Sequence, residues 1–150
     1  MEEPTRLRHA GFMVAGLTVR TTNRDEKDPK TGRLPALWGR FFDEERFATT
    51  PQRTADAHIY AVYTGYESDQ HGAYDVTAGM AVSAGADAVR IEPGDYLVFH
   101  NRGQMPQLVI VTWERIWAYF EAHPEIRRRF RTDYEAYRGP NEVAIHVGVS

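Results

Sequence analysis

Two acidic residues lie inside an aromatic stretch near the end of the chain, Thr132-Asp133-Tyr134-Glu135-Ala136-Tyr137. The stretch is rich in strand formers. Side chains alternate along a strand, so Asp133, Glu135 and Tyr137 share one face and Tyr134 and Ala136 the other. The same frame occurs earlier in Ile59-Tyr60-Ala61-Val62-Tyr63-Thr64-Gly65, with Ala61 where the later copy has Glu135. A carboxylate buried without a partner is costly, and its pKa is driven up. Two chemistries fit such a group. A positively charged ligand would supply the missing partner, with aromatic faces adding roughly 0.5–2 kcal/mol per cation–π contact. Alternatively, Glu135 would act as a general base on water, with Tyr137 or Tyr63 as acid or orienting group. The competing structural reading is a strand carboxylate that faces solvent or pairs with an arginine.

Tyr63 and Tyr137 share the face that Glu135 marks and are candidate aromatic walls. Trp38 and Trp117 occupy equivalent helix positions and are candidates both for the core and for the wall of a groove. Phe41, Phe99 and Phe120 join the candidate list and read mainly as core. Asp133 reads as the solvated entry to its strand. Arg127 to Arg131 could form a phosphate patch, but Glu121, Glu125 and Asp133 flank it, which favours a solvated loop before the strand.

Other chemistries find little support. There is no cysteine, hence no disulfide, thiolate nucleophile or Cys-ligated metal. The histidines at 9, 58, 71, 100, 123 and 146 show no metal-ligand spacing, and His58 and His146 read as structural or exposed. No dinucleotide, P-loop or nucleophile-elbow motif is present. No cofactor or metal is therefore expected. A net charge of −3 argues against a nucleic-acid surface. No apolar run approaches the ~20 residues that span a bilayer, and the N-terminus is too polar for a signal peptide, so a cytoplasmic protein is expected.

The elements that must position these residues follow from periodicity. Residues 1–10 read as frayed, and 11–20 as a strand. Residues 21–33 read as a long surface loop. A helix opens at Pro35, presents Leu37, Trp38, Phe41 and Phe42 as one apolar face, and fades near Phe47. Strands are expected at 57–66 and, joined by a hairpin, at 74–82, where the internal Gly79 weakens the reading. A short strand at 89–93 and a stronger one at 96–99 follow. A second helix runs from Pro106 to about His123, burying Leu108, Val111, Thr112, Ile116, Phe120 and Tyr119, although Val109 to Thr112 could instead be strand. The stretch 132–137 and residues 142–149 supply the last strands.

This order is β-α-β-β twice, and the sequence supports a repeat. Leu37-Trp38-Gly39-Arg40-Phe41 matches Ile116-Trp117-Ala118-Tyr119-Phe120. The two tyrosine frames match, and residues 75–82 match 142–149. The expected fold is α+β, a duplicated β-α-β-β pair forming one domain over 1–150, with halves at about 11–84 and 85–150. A pseudo-two-fold axis, an antiparallel sheet, two main helices and a cleft between the halves complete it.

The chain resembles the GyrI-like effector-binding domains of bacterial multidrug-responsive transcription regulators, and within them the stand-alone integron-associated effector-binding proteins. The residues that carry the resemblance are Gly16-Leu17-Thr18-Val19-Arg20-Thr21, Leu34-Pro35 with Leu37-Trp38 and Phe41-Phe42, and Ile59-Tyr60 with Val62-Tyr63 and Tyr66-Glu67-Ser68-Asp69. Tyr96-Leu97-Val98-Phe99, Thr112-Trp113 with Ile116-Trp117, and Thr132-Asp133-Tyr134-Glu135 with Tyr137 complete the set. The resemblance spans about residues 11–149. It implies two SHS2-like modules and an apolar cleft that binds bulky, lipophilic, often cationic compounds, with a glutamate at the position of Glu135. It also implies the alternatives of a small-molecule hydrolase using Glu135 and Tyr137, or a protein-interaction module that modulates gyrase. The regulators carry a preceding helix-turn-helix domain for which this chain has no room, so direct DNA binding is not expected.

Overall fold

The computed structural model describes residues 3–150. Its strands are β1 (Thr5–His9), β2 (Phe12–Thr21), β3 (Ile59–Thr64), β4 (Tyr74–Val82), β5 (Val89–Ile91), β6 (Gly94–Arg102), β7 (Arg128–Gly139) and β8 (Glu142–Val149). Its helices are α1 (Asn23–Glu26), α2 (Leu34–Asp43), α3 (Arg46–Thr49) and α4 (Gln107–Ala122). All eight strands join one sheet in the order β1-β6-β8-β7-β3-β4-β2-β5, and every pairing is antiparallel. The α+β expectation therefore holds.

The centre of this sheet is the β3–β7 pair. Outward from it lie β4, β2 and β5 on one side and β8, β6 and β1 on the other, so the order is symmetric in kind. At the middle of the pair Ala61 is the direct partner of Glu135. Partners across an antiparallel pair share a face and nearly touch. The small side chain of Ala61 therefore leaves room for the carboxylate opposite.

Two clusters fill the two faces of the sheet. On one, Leu37 and Phe41 from α2 and Leu108, Trp113 and Ile116 from α4 pack onto Ala61, Tyr63, Phe99, Ile145 and their neighbours. Each fully buried large apolar side chain stabilises by roughly 1.5–3 kcal/mol. Phe41 and Ile116, both wholly buried, are the anchors of their helices. On the other face Val14, Tyr60, Val62, Tyr96 and Tyr134 form a smaller cluster with Phe12 against it.

Several local expectations change. Residues 5–9 are a strand because β6 has a free edge for them. His9 then stacks on Tyr96 at 4.7 Å and lies 3.1 Å from the Tyr134 hydroxyl. The expected loop at 21–33 holds a helical turn, capped by the Thr22 hydroxyl, which accepts from the Asp25 amide. The first long helix stops at Asp43, and a left-handed Glu45 (φ 52°) redirects the chain into α3. Phe42 is half exposed rather than part of the buried face. Val109 to Thr112 are helical, but Val111 points outward. Gly79 sits opposite Gly16, where the strands approach so closely that an added Cβ would lie 2.3 Å from the Ala15 carbonyl oxygen. The glycine that weakened the sequence reading is what permits the close pairing.

Candidate functional site

Glu135 projects from the middle of β7 onto the face covered by α2 and α4, and it is 2% exposed. Three aromatic side chains donate to its carboxylate. The Tyr63 hydroxyl from β3 and the Trp113 indole N–H from α4 each reach Oε2 at 2.7 Å. The Tyr137 hydroxyl, two residues along β7, donates to Oε1. Strand alternation explains the last contact, since residues 135 and 137 lie on one face. The contact from Tyr63 follows from register. Tyr63 lies two residues beyond Ala61 on the neighbouring strand, within diagonal reach of Glu135.

Electrostatically the site is a buried carboxyl group held by neutral donors. Burial pushes the Glu135 pKa up, opposed in turn by hydrogen bonds from Trp113, Tyr137 and Tyr63. Burial and the neighbouring Glu135 charge drive the phenols of Tyr63 and Tyr137 well above their ordinary range, so they remain donors. No cationic side chain is among the hydrogen-bond partners of Glu135 within the described residues.

The remaining candidates form shells of differing distance. Trp38 packs edge-on to Tyr137 at 5.7 Å, and Phe41 lies behind Trp38 at 5.6 Å. Trp117 flanks Trp113 at 6.1 Å. Phe99 and Phe120 pack with Tyr119 farther along α4, and the wholly buried Phe99 is core. Trp113 was missed as a donor. Its signal was available, because it lies one helical turn before Trp117 and flanks the Leu108-Thr112-Ile116 stripe.

A second corrected element lies beside this one. Asp133 is wholly buried, not a solvated entry. It accepts from the Tyr66 hydroxyl, from Arg128 Nη2 at 2.7 Å and from the Gly148 amide at 2.8 Å. The run 127–131 is strand rather than loop from Arg128 onward, with Arg127 and Arg131 exposed as expected and the Arg128 side chain buried. It enters β7 through a register shift between Arg128 and Asp133, with Phe130 left-handed (φ 53°). The bulge folds Arg128 back over its own strand, where its side chain is only 7% exposed. His146 is buried, stacked 4.1 Å from Tyr134, and burial pulls its pKa down to about 3. His58 precedes β3 and pairs with Asp56 at 3.0 Å. Among the described residues no group of His, Asp or Glu is placed to hold a metal ion, and no helix is long and apolar enough to cross a membrane.

Glu135 is itself shut off from solvent by its neighbours. A surface groove of about 820 Å³ lies between α2–α3, the segment 50–57 and the start of β3, and is lined by Phe42, Phe47, Asp56, Ile59 and Met80 among others. It adjoins the carboxylate site through two residues. Ile59 is the cross-strand partner of Tyr137, and Phe42 stacks on Trp38 at 6.1 Å.

Known proteins are similar to this chain in sequence and fold. A family model described as Cass2, integron-associated effector binding protein, matches residues 9–149. YobU of Bacillus subtilis (strain 168), whose name describes a candidate transcriptional regulator, is 30% identical over 130 residues, covering 82% of this chain and 79% of its own. The crystal structure of the integron cassette protein VCH_CASS2 from the mobile metagenome of Vibrio cholerae superposes with a TM-score of 0.83 at 34% identity, covering 99% of this chain and 97% of its own. The structure of SAV2435 bound to tetraphenylphosphonium has a TM-score of 0.78 at 15% identity, covering 99% and 94%.

Proposed function

This chain belongs to the family of integron-associated effector binding proteins, and from that premise we propose that its effectors are lipophilic organic cations paired with Glu135. The observation that carries the reading is a fully buried carboxylate ringed by Tyr63, Trp113 and Tyr137, with no cationic hydrogen-bond partner among the described residues. Three neutral donors offset part of the burial cost but leave the charge in place. A cation against the aromatic faces would supply the missing counter-charge. That a protein of this fold was solved bound to tetraphenylphosphonium supports the same class of ligand.

Entry runs from the 820 Å³ groove past Trp38 and Tyr137, which stand between its Phe42 and Ile59 walls and the carboxylate. Rotation of the Tyr137 hydroxyl away from Oε1 exposes one carboxylate oxygen while Tyr63 and Trp113 keep hold of the other. The two halves of the sheet act as two modules whose shared strand pair, β3–β7, carries the site. Trp117 and Phe41 back the walls, and Phe99 and Phe120 support α4.

Calorimetric titration of the wild type and Glu135→Gln with tetraphenylphosphonium and with neutral triphenylphosphine oxide tests this reading. The substitution is expected to weaken the cation at least about tenfold, a ~1.4 kcal/mol loss, and to spare the neutral compound. Equal losses for both compounds would refute charge pairing. Turnover of an electrophile that Glu135→Gln abolishes would make Glu135 a general base instead.

A further inference from the structure

We propose that Arg128 is a resident cation that neutralises the second buried carboxylate, so that the site accepts ligands of a single positive charge. The inference rests on the reading of Glu135 as a cation partner. Asp133 and Glu135 are the two carboxylates among the buried residues described, and both project from one face of β7, two residues apart. That spacing is about 6.6 Å along a strand. A cleft with two free carboxylates at this distance would favour a dication. Here only Glu135 is free, because Arg128 Nη2 lies 2.7 Å from Asp133 Oδ2.

The way Arg128 is held mirrors what the neighbouring site offers a ligand. Its guanidinium lies 4.3 Å from the centre of the Phe130 ring and 5.9 Å from those of Trp113 and Phe120. Its Nε is buried with no hydrogen-bond partner, so aromatic faces and one carboxylate hold the group. Trp113 is shared between the two positions. Its N–H donates to Glu135 and its ring lies beneath Arg128. A ligand cation beside Glu135 therefore sits across one indole from a fixed positive charge, and a second ligand charge directed along β7 would meet the guanidinium. The bulge that brings Arg128 over Asp133 is thus a specificity device.

The test uses tetraphenylphosphonium as monocation, benzyl viologen as dication with charges at a comparable separation, and triphenylphosphine oxide as the neutral control. The wild type is expected to bind the monocation at least tenfold more tightly than the dication. Arg128→Met uncovers Asp133 and is expected to shift that ratio at least tenfold towards the dication. Asp133→Asn leaves the guanidinium uncompensated. It is expected to weaken the monocation at least tenfold and leave the neutral compound unchanged, a readout that holds even where Arg128→Met does not fold. Equal wild-type affinity for the two cations, or an unchanged ratio in Arg128→Met, overturns the proposal, as does unchanged monocation binding in Asp133→Asn. If those results coincide with intact dependence on Glu135, only this inference fails. If the wild type binds no cation, or Glu135→Gln has no effect, the functional reading falls with it.

Discussion

Replacing Tyr63 by Phe removes one hydroxyl from the site and little else. The ring stays packed against Tyr74 and Trp113, each at 5.5 Å, while Glu135 Oε2 loses one of its two donors. A hydrogen bond to a charged acceptor contributes about 1.5–3 kcal/mol, against about 0.5–1.5 kcal/mol for a neutral pair. Tyr74→Phe supplies the neutral comparison, since the Tyr74 hydroxyl donates to Asn23 Oδ1 at 2.6 Å. At neutral pH, Tyr63→Phe is therefore expected to cost about twice as much as Tyr74→Phe. This corresponds to a melting-temperature drop of roughly 3–12 °C for a chain of this size. Urea unfolding with unchanged m-value measures the difference. The pH dependence identifies the charge. Burial raises the Glu135 pKa above its ordinary 4.5, so ionisation is easier in the unfolded chain. Wild-type stability should thus fall as pH rises from 4.5 to the folded-state value and then level off. Below 4.5 the carboxyl is neutral in both states, and the Tyr63→Phe penalty should shrink into the neutral range. A penalty equal to that of Tyr74→Phe at pH 7, with no change on acidification, would refute the claim that Glu135 is an ionised acceptor.

Two further expectations concern the scaffold. His146 has a folded pKa of about 3 against an ordinary 6.5, so the unfolded chain takes up the proton first. Wild-type stability should fall as pH drops from 6.5 to 3, by up to about 1.4 kcal/mol per pH unit, and His146→Phe should remove that component in acid unfolding curves. Gly79→Ala should cost well over about 1 kcal/mol, because the new methyl meets the Ala15 backbone; chemical denaturation showing a neutral effect would contradict the close β2–β4 approach.

Much of this arrangement was legible in the sequence because it is local or periodic. Alternation placed Glu135 and Tyr137 on one face, and aligning the two tyrosine frames put Ala61 at the equivalent position. Antiparallel pairing of the central strands then sets Ala61 opposite Glu135. The parts that were not legible depend on long-range pairing. The strand at 5–9 has no periodic signal of its own and forms because the β6 edge accepts it. Arg128 and Asp133 meet through a bulge, which breaks the alternation from which faces are read. Trp113 was obscured by the helix itself, whose β-branched start placed Val111 on the buried side when the stripe turns towards Trp113. The burial of Glu135 rests on neighbours far apart in sequence, with Tyr63 and Trp113 on the carboxylate and Trp38 packed against Tyr137.

If Glu135 carries the charge that a ligand cation answers, its own titration reports the pairing most directly. Following the side-chain carboxyl resonance of Glu135 by carbon NMR across pH, with and without saturating tetraphenylphosphonium, gives the pKa in each state. The free protein should titrate above 4.5, and the bound cation should lower the value by at least one pH unit, the shift equivalent to about 1.4 kcal/mol of pairing. A Glu135 titration unchanged by a cation that demonstrably binds would contradict the account.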